Sequence, residues 1–245
     1  MQTPPALVET VTQFAFVSVV SVLVSYLLAS TGAPWADPWL DRFDRAIGFD
    51  WVGVNRYVAG HPWLAWALRA GYQSFVWQPL VVIALLSFQM SHRLLQLFMI
   101  AWTLSLIVTL LGLAAAPAQS AYIFYGATQS GLPDLSAHVS NSQFSTLESL
   151  RSGGMRNLLD DELFGLVTFP SFHTAGAILF AWALWPLRWL RWLAIFLNAL
   201  MIAAVPVIGA HYLVDVFAGL LVALAAIQTT YAIDRRAEPR QFHSS

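Results

Sequence analysis

The chain has 245 residues, 58% of them hydrophobic and 10% charged, with a net charge of -1; soluble domains carry about 25% charged residues, so a membrane protein is expected. The near-zero charge argues against a nucleic-acid surface, and the absence of cysteine excludes a disulfide, a thiolate nucleophile and thiolate-bound zinc. All twelve basic residues are arginine, which excludes a lysine Schiff base and a P-loop lysine and leaves the side chain best suited to gripping phosphate.

Thr10 to Ser30 reads as the first membrane span. No Arg or Lys precedes it, as a signal peptide would require, so it is expected to be a retained helix. The stretch 31–70 mixes Pro, Asp, Arg and Trp and reads as a loop with short amphipathic helices lying at the membrane surface. Gly71 to Met90 is the second expected span, "SHR" at 91–93 a tight polar turn, and Leu94 to Ala116 the third. The polar segment 117–168 is too long to be a simple connection and is expected to be a functional loop. Thr174 to Trp185, Trp192 to Ile208 and Tyr212 to Ile233 complete six spans, followed by a polar tail, 234–245.

The fold class expected is therefore a single all-α membrane domain of six transmembrane helices, with short interfacial helices in the outer loops. Six spans put both termini on one side. The turns and tail on that side carry six arginines against three acids, and the longer opposite segments six against nine. Arginine density in short segments marks the cytoplasmic side. An integral protein of a plasma (inner) membrane is expected, with its termini in the cytoplasm and 31–70 and 117–168 outside.

Two polar borders stand out. In "GAHYLVDVFAG", Gly209 to Gly219, a helix starting near His211 puts Asp215 one turn on, on the same face. A carboxylate there can fix the imidazole tautomer, stabilise its charge and leave the other nitrogen free to attack an electrophile. A structural pair, a gating pair in a transporter and a shared metal site are the competing readings. In "TFPSFHTAGA", Thr168 to Ala177, Pro170 and Ser171 signal a helix start, with His173 in the first turn. The unpaired N–H groups of such a start favour an anion such as phosphate. His173 beside it could protonate a leaving oxygen.

Together, "PSFHT" and "GAHYLVD" resemble the second and third signature motifs of the type 2 phosphatidic acid phosphatase superfamily. With the upstream "DRAIGFDW", they resemble its inositol phosphorylceramide synthase-like branch, over about Leu40 to Ala226. The resemblance implies a six-helix membrane fold and a phosphohistidine formed on His211. Asp215 would orient that ring, His173 would act as acid and then base, and Ser171 would help bind phosphate. The chain departs from the superfamily in having no lysine for the first motif, in Phe172 where glycine usually precedes the histidine, and in "AAVPVIG" where Ser-Arg is common. Arg151 and Arg156 in the long outer loop are the candidates to supply the missing cations, ahead of Arg69.

The expected function is a metal-independent phosphatase or phosphotransferase acting on a membrane lipid phosphate, with water or an alcohol headgroup as acceptor. No cofactor, metal or nucleic-acid partner is expected. The rival readings are an intramembrane serine protease using Ser171 and a catalytically inactive lipid-binding or transport protein with the same fold. His61, His92, His138 and His243 lack an acid at helical spacing and read as interfacial or loop residues. The "DDE" at 160–162 reads as a solvated turn, and Asp41, Asp44 and Arg45 as local pairs. Most of the eleven tryptophans read as interface anchors.

Overall fold

A computed structural model describes residues 4–89, 91–126, 135, 137–154, 166 and 168–237, and among these every regular element is helical. Helix α1, Pro4–Ala29, is strongly apolar, and only 11% of its most apolar stretch is buried against the rest of the fold. Two short helices follow, α2 (Asp37–Ala46) and α3 (Trp51–Ala59). Asp50 caps α3 by accepting from the Gly53 N–H at 2.9 Å.

Next comes a bent helix pair. Helix α4, Pro62–Gln73, runs through a 3-10 turn, Ser74–Val76, into α5, Gln78–Phe88, with a bend of 55°. Pro79 in the first turn of α5 lacks the N–H that would continue the ladder. The polar groups at the bend form a hydrogen-bonded chain that leaves Asn198 Oδ1 without a partner. Ser74 Oγ donates to Gly71 O at 2.6 Å, Gln78 Nε2 to Ser74 Oγ at 2.8 Å, and Asn198 Nδ2 to Gln78 Oε1 at 3.0 Å. The helix of the expected second span, Gly71 to Met90, is thus preceded by further helix from Pro62, within the stretch 31–70 expected at the surface.

Helix α6 spans His92–Ala115, and α7 (Ala121–Phe124) and α8 (Ala137–Arg151) lie within the long 117–168 segment. Helices α9 (Phe172–Leu184), α10 (Arg191–Ile208) and α11 (Leu213–Ala237) complete the fold. The last of these extends past the expected Ile233, so the first residues of the predicted tail are helical.

Four of these helices, α1, α6, α10 and α11, are long and apolar enough to cross a membrane, and the bent α4–α5 pair makes five if counted as one span. The expected six spans are not confirmed, because helix α9 falls short of the length needed. Helix α9 has 13 residues, about 20 Å at 1.5 Å per residue, against roughly 30 Å of hydrocarbon. The long apolar helices are consistent with an integral membrane protein.

The core lies where α9 meets α5 and α6, around Phe98, Trp102, Phe180 and Met201. Helix α10 packs on α4 and α9, α11 on α6 and α9, and α1 on α6. At one end of the molecule Arg93 at the start of α6 holds Asp234 near the end of α11, with Nη2 to Oδ2 at 2.6 Å. The two histidine motifs lie at the other end of α11 and α9.

Candidate active site

The turn before α11 is built to present one imidazole. Ala210 has φ +53°, a left-handed conformation that an alanine adopts at a cost of about 1 kcal/mol or more. The conformation is held from both sides. Ala210 O accepts from the Ala121 N–H at 2.9 Å, and the His211 N–H reaches Val205 O at 3.4 Å. His211 is 6% exposed and Asp215 1%. Nδ1 of His211 lies 3.0 Å from Oδ2 of Asp215, as the i,i+4 spacing predicts. The same oxygen accepts from the Tyr212 N–H at 3.1 Å, so the carboxylate is fixed before it orients the ring. With Nδ1 engaged, Nε2 is the nitrogen left for chemistry.

Helix α9 starts as expected. Ser171 is its N-cap, and Oγ accepts from the Thr174 N–H at 3.3 Å. The Thr174 hydroxyl lies 3.2 Å from the same oxygen. The N–H groups of Phe172 and His173 open the helix and have no intrahelical acceptor.

The backbone joins the two motifs directly. The Ser171 N–H donates to Asp215 O at 3.1 Å. One turn further along α11 stands Gly219, where a Cβ would collide with the Ser171 carbonyl oxygen and lie 2.9 Å from Thr174 Cβ. The absence of a side chain there lets α9 and α11 touch.

Tyr72 of α4 borders both histidines. Its ring stacks on His173 with centroids 4.1 Å apart and planes 12° from parallel. A methyl placed on Gly209 would lie 2.8 Å from both Tyr72 Cε2 and His211 Cδ2, so those rings border the same small space. His211 is near enough to act on His173 electrostatically. The structure therefore brings His173, His211, Asp215 and Ser171 together.

The arginines are placed differently. Arg151, at the end of α8, donates from Nη2 to Ala33 O at 2.6 Å and stacks over Trp35 at 3.9 Å, tying α8 to the segment before α2. Its Nη1 is buried without an acceptor. Arg156 lies outside the described residues, as does the "DDE" run. Arg69, one turn before Tyr72, donates to Leu135 O at 3.3 Å. His61 Nδ1 bonds to the Tyr57 carbonyl and makes no described contact with an acid. Among the described residues no three His, Asp or Glu side chains cluster as a metal would require.

A cavity of about 450 Å³ opens beside His173. Phe75, Trp102 and Phe172 form one wall, and Ser18, Ser21 and Ser25 of α1 line the other.

Two groups of residues escape the sequence reading. Tyr72 carries no motif. The acids of α2 are the larger miss. Asp37 accepts from the Gln119 N–H and from the Tyr212 hydroxyl at 2.9 Å, and Asp41 from the Tyr125 hydroxyl and from Arg45. Asp44 accepts from the N–H groups of Leu213 at 2.7 Å and Val214 at 2.9 Å. The local pair Arg45–Asp41 exists as expected, but the reading of Asp44 as a local pair is corrected, because both its oxygens cap α11. The signal was present: 37, 41 and 44 share one helical face. Burial raises the proton affinity of Asp37 and Asp44 above the ordinary carboxylate value, and their N–H and O–H donors offset part of that rise. Trp51 also departs from the interfacial expectation: it is buried, and its indole N–H donates to Pro206 O at 2.8 Å.

A family model described as the PAP2 superfamily matches residues 38–229, which include both histidine motifs, the bent pair and all of α2 but Asp37. No curated protein and no solved structure matches the chain.

Proposed function

The chain belongs to the PAP2 superfamily, and from that premise we propose that it cleaves a lipid phosphoester through a phosphohistidine on His211. Membership supports phosphatase or phosphotransferase activity on phosphate esters. The observation that carries the finer reading is the His211–Asp215 pair, joined through the Ser171 N–H to the helix start bearing His173.

In the first step Nε2 of His211 attacks phosphorus while Nδ1–H remains bonded to Asp215, whose charge offsets that of the phosphorylated ring. His173 donates a proton to the departing alkoxide. In the second step His173 takes a proton from water or from an alcohol headgroup, whose oxygen displaces His211 from phosphorus. The open N–H groups of Phe172 and His173 supply donors for the equatorial oxygens. We assign Ser171, Arg151 and Arg156 to the phosphate as well. The unspent Nη1 of Arg151 supports its place in that set. Imidazole is the nucleophile and arginine and N–H groups supply the field, so no metal is required.

The cavity beside His173 supports a lipid as the substrate. It is of ligand-pocket size and mostly apolar, and it is bounded by α1 and α6, helices of membrane-spanning length. The acceptor in the second step is water or an alcohol headgroup. The arginine distribution supports termini in the cytoplasm of a plasma (inner) membrane, with the site facing outward.

Ser171 hydrogen-bonds to Thr174, and no imidazole contact to its hydroxyl is found among the described residues; this disfavours a serine-protease reading. The test is phosphate release and product mass spectrometry with a panel of lipid phosphates, with and without alcohols. His211→Ala and Asp215→Asn should each lower turnover by about 10^3- to 10^4-fold, the scale seen when a histidine-orienting carboxylate is neutralised, while still inserting and folding. Wild-type turnover in folded His211→Ala contradicts the proposal.

A further inference from the structure

We infer that Asp44, with Asp37 behind it, is a positioning residue that aims His211 at the substrate. The inference rests on the function proposed above and assigns a task to α2, a helix that contributes no group to the reaction itself.

Helix α11 needs a cap, because its first N–H groups have no intrahelical acceptor. The residue in the capping position is Tyr212, whose side chain cannot reach them. Asp215, three residues on, accepts from the Tyr212 N–H as the acid of a capping box does. The reciprocal half of that box is missing from the chain's own turn. Asp44 supplies the cap from 169 residues away, one carboxylate oxygen on the Leu213 N–H and the other on the Val214 N–H. Asp37 takes the Tyr212 hydroxyl with one oxygen, and with both oxygens the Gln119 N–H of the neighbouring segment.

The three residues that follow His211 thus each end on a carboxylate of α2. Before His211, the turn is fixed to α10 and to Ala121. The imidazole is suspended between two anchored segments, and among the described residues Asp215 alone hydrogen-bonds its side chain. In-line attack on phosphorus needs Nε2 within a narrow cone, and a misplacement of about 1 Å can lower a rate by roughly 100-fold. Asp44 acts where such a displacement would begin, at the first N–H groups of the helix that carries Asp215.

Asp44→Asn keeps the size and one acceptor but turns an NH2 toward a backbone N–H. In the full chain, in micelles with a lipid phosphate, it should lower kcat by about 10- to 100-fold. KM should stay within a factor of about two, because the phosphate- and chain-binding groups are untouched. The rate of phosphoenzyme formation should fall in parallel with kcat. A purely structural role would instead lower the amount of folded protein and leave kcat per folded molecule unchanged, and that result overturns the inference. If Asp44→Asn does not fold, Tyr212→Phe decides, since it removes only the hydroxyl bonded to Asp37. Reduced kcat with unchanged KM supports the inference, and full kcat overturns it. His211→Ala is the control that separates the two claims. If it is active, the phosphohistidine reading fails; if it is inactive while Asp44→Asn is normal, only the positioning role fails.

Discussion

On the proposed function His211 offers a substrate Nε2, and three residues hold the ring for it. Asp215 holds Nδ1, Ala210 turns the backbone, and Asp44 caps the helix that follows. The i,i+4 pair was legible in the sequence because it obeys local helical geometry. Asp44 was not, because its partners lie in a distant segment that no periodicity connects to it. Its burial leads to a prediction about stability. Desolvation raises its proton affinity, the Leu213 and Val214 N–H groups lower it, and Asp41 on the same helix adds to the rise. Asp215, facing it from α11, is a further carboxylate within electrostatic reach. The net shift is upward, so the folded chain holds this proton more tightly than the unfolded chain. That contribution to stability is complete at low pH and is lost as pH rises from the ordinary carboxylate range through the raised value. Asparagine has no such proton. The Tm of the wild type minus that of Asp44→Asn should therefore increase as pH is lowered from neutral to about 4. A difference that is flat or shrinks contradicts a desolvated carboxylate at this position.

Helices α9 and α11 are the elements that bring the two histidine motifs together, and their crossing depends on Gly219. A methyl group there would meet the Ser171 carbonyl, a backbone atom that cannot rotate away. Gly219→Ala should part the two helices and stretch the Ser171 N–H to Asp215 O bond. A loss of about 1–3 kcal/mol is expected for such overpacking, read as a lower Tm, together with reduced turnover. Unchanged Tm and turnover would show that the helices do not pack this closely. The long apolar helices were legible because their runs are uninterrupted. The helix start at Pro62 was not placed, since Trp63, Trp66 and Arg69 give "HPWLAWALRAGYQ" an interfacial composition. Trp63 and Trp66 are in fact 70% and 74% exposed, so the helix carries interface anchors on one side and Tyr72 on the other. Helix α9 was legible as a start, but its 13 residues do not confirm it as a span, because composition reports apolarity and not where the chain turns.

At the scale of the whole molecule the polar chemistry lies at one end. Arg93 and Asp234 lock the far end, while the starts of α9 and α11, the end of α10 and the acids of α2 converge at the other. An apolar cavity runs beside His173 under the cover of α1, itself loosely held. On the proposed function this arrangement lets a lipid present its phosphate to the site while its chain stays among the helices. The most direct test is to trap the covalent intermediate. Full-length protein mixed with a lipid phosphate labelled on phosphorus, then quenched in alkali, should retain label on the chain. The label should be lost in acid, as expected of phosphorus bound to an imidazole nitrogen, and proteolysis should locate it on His211. Full turnover with no label on His211, or label retained in His211→Ala, would contradict the account.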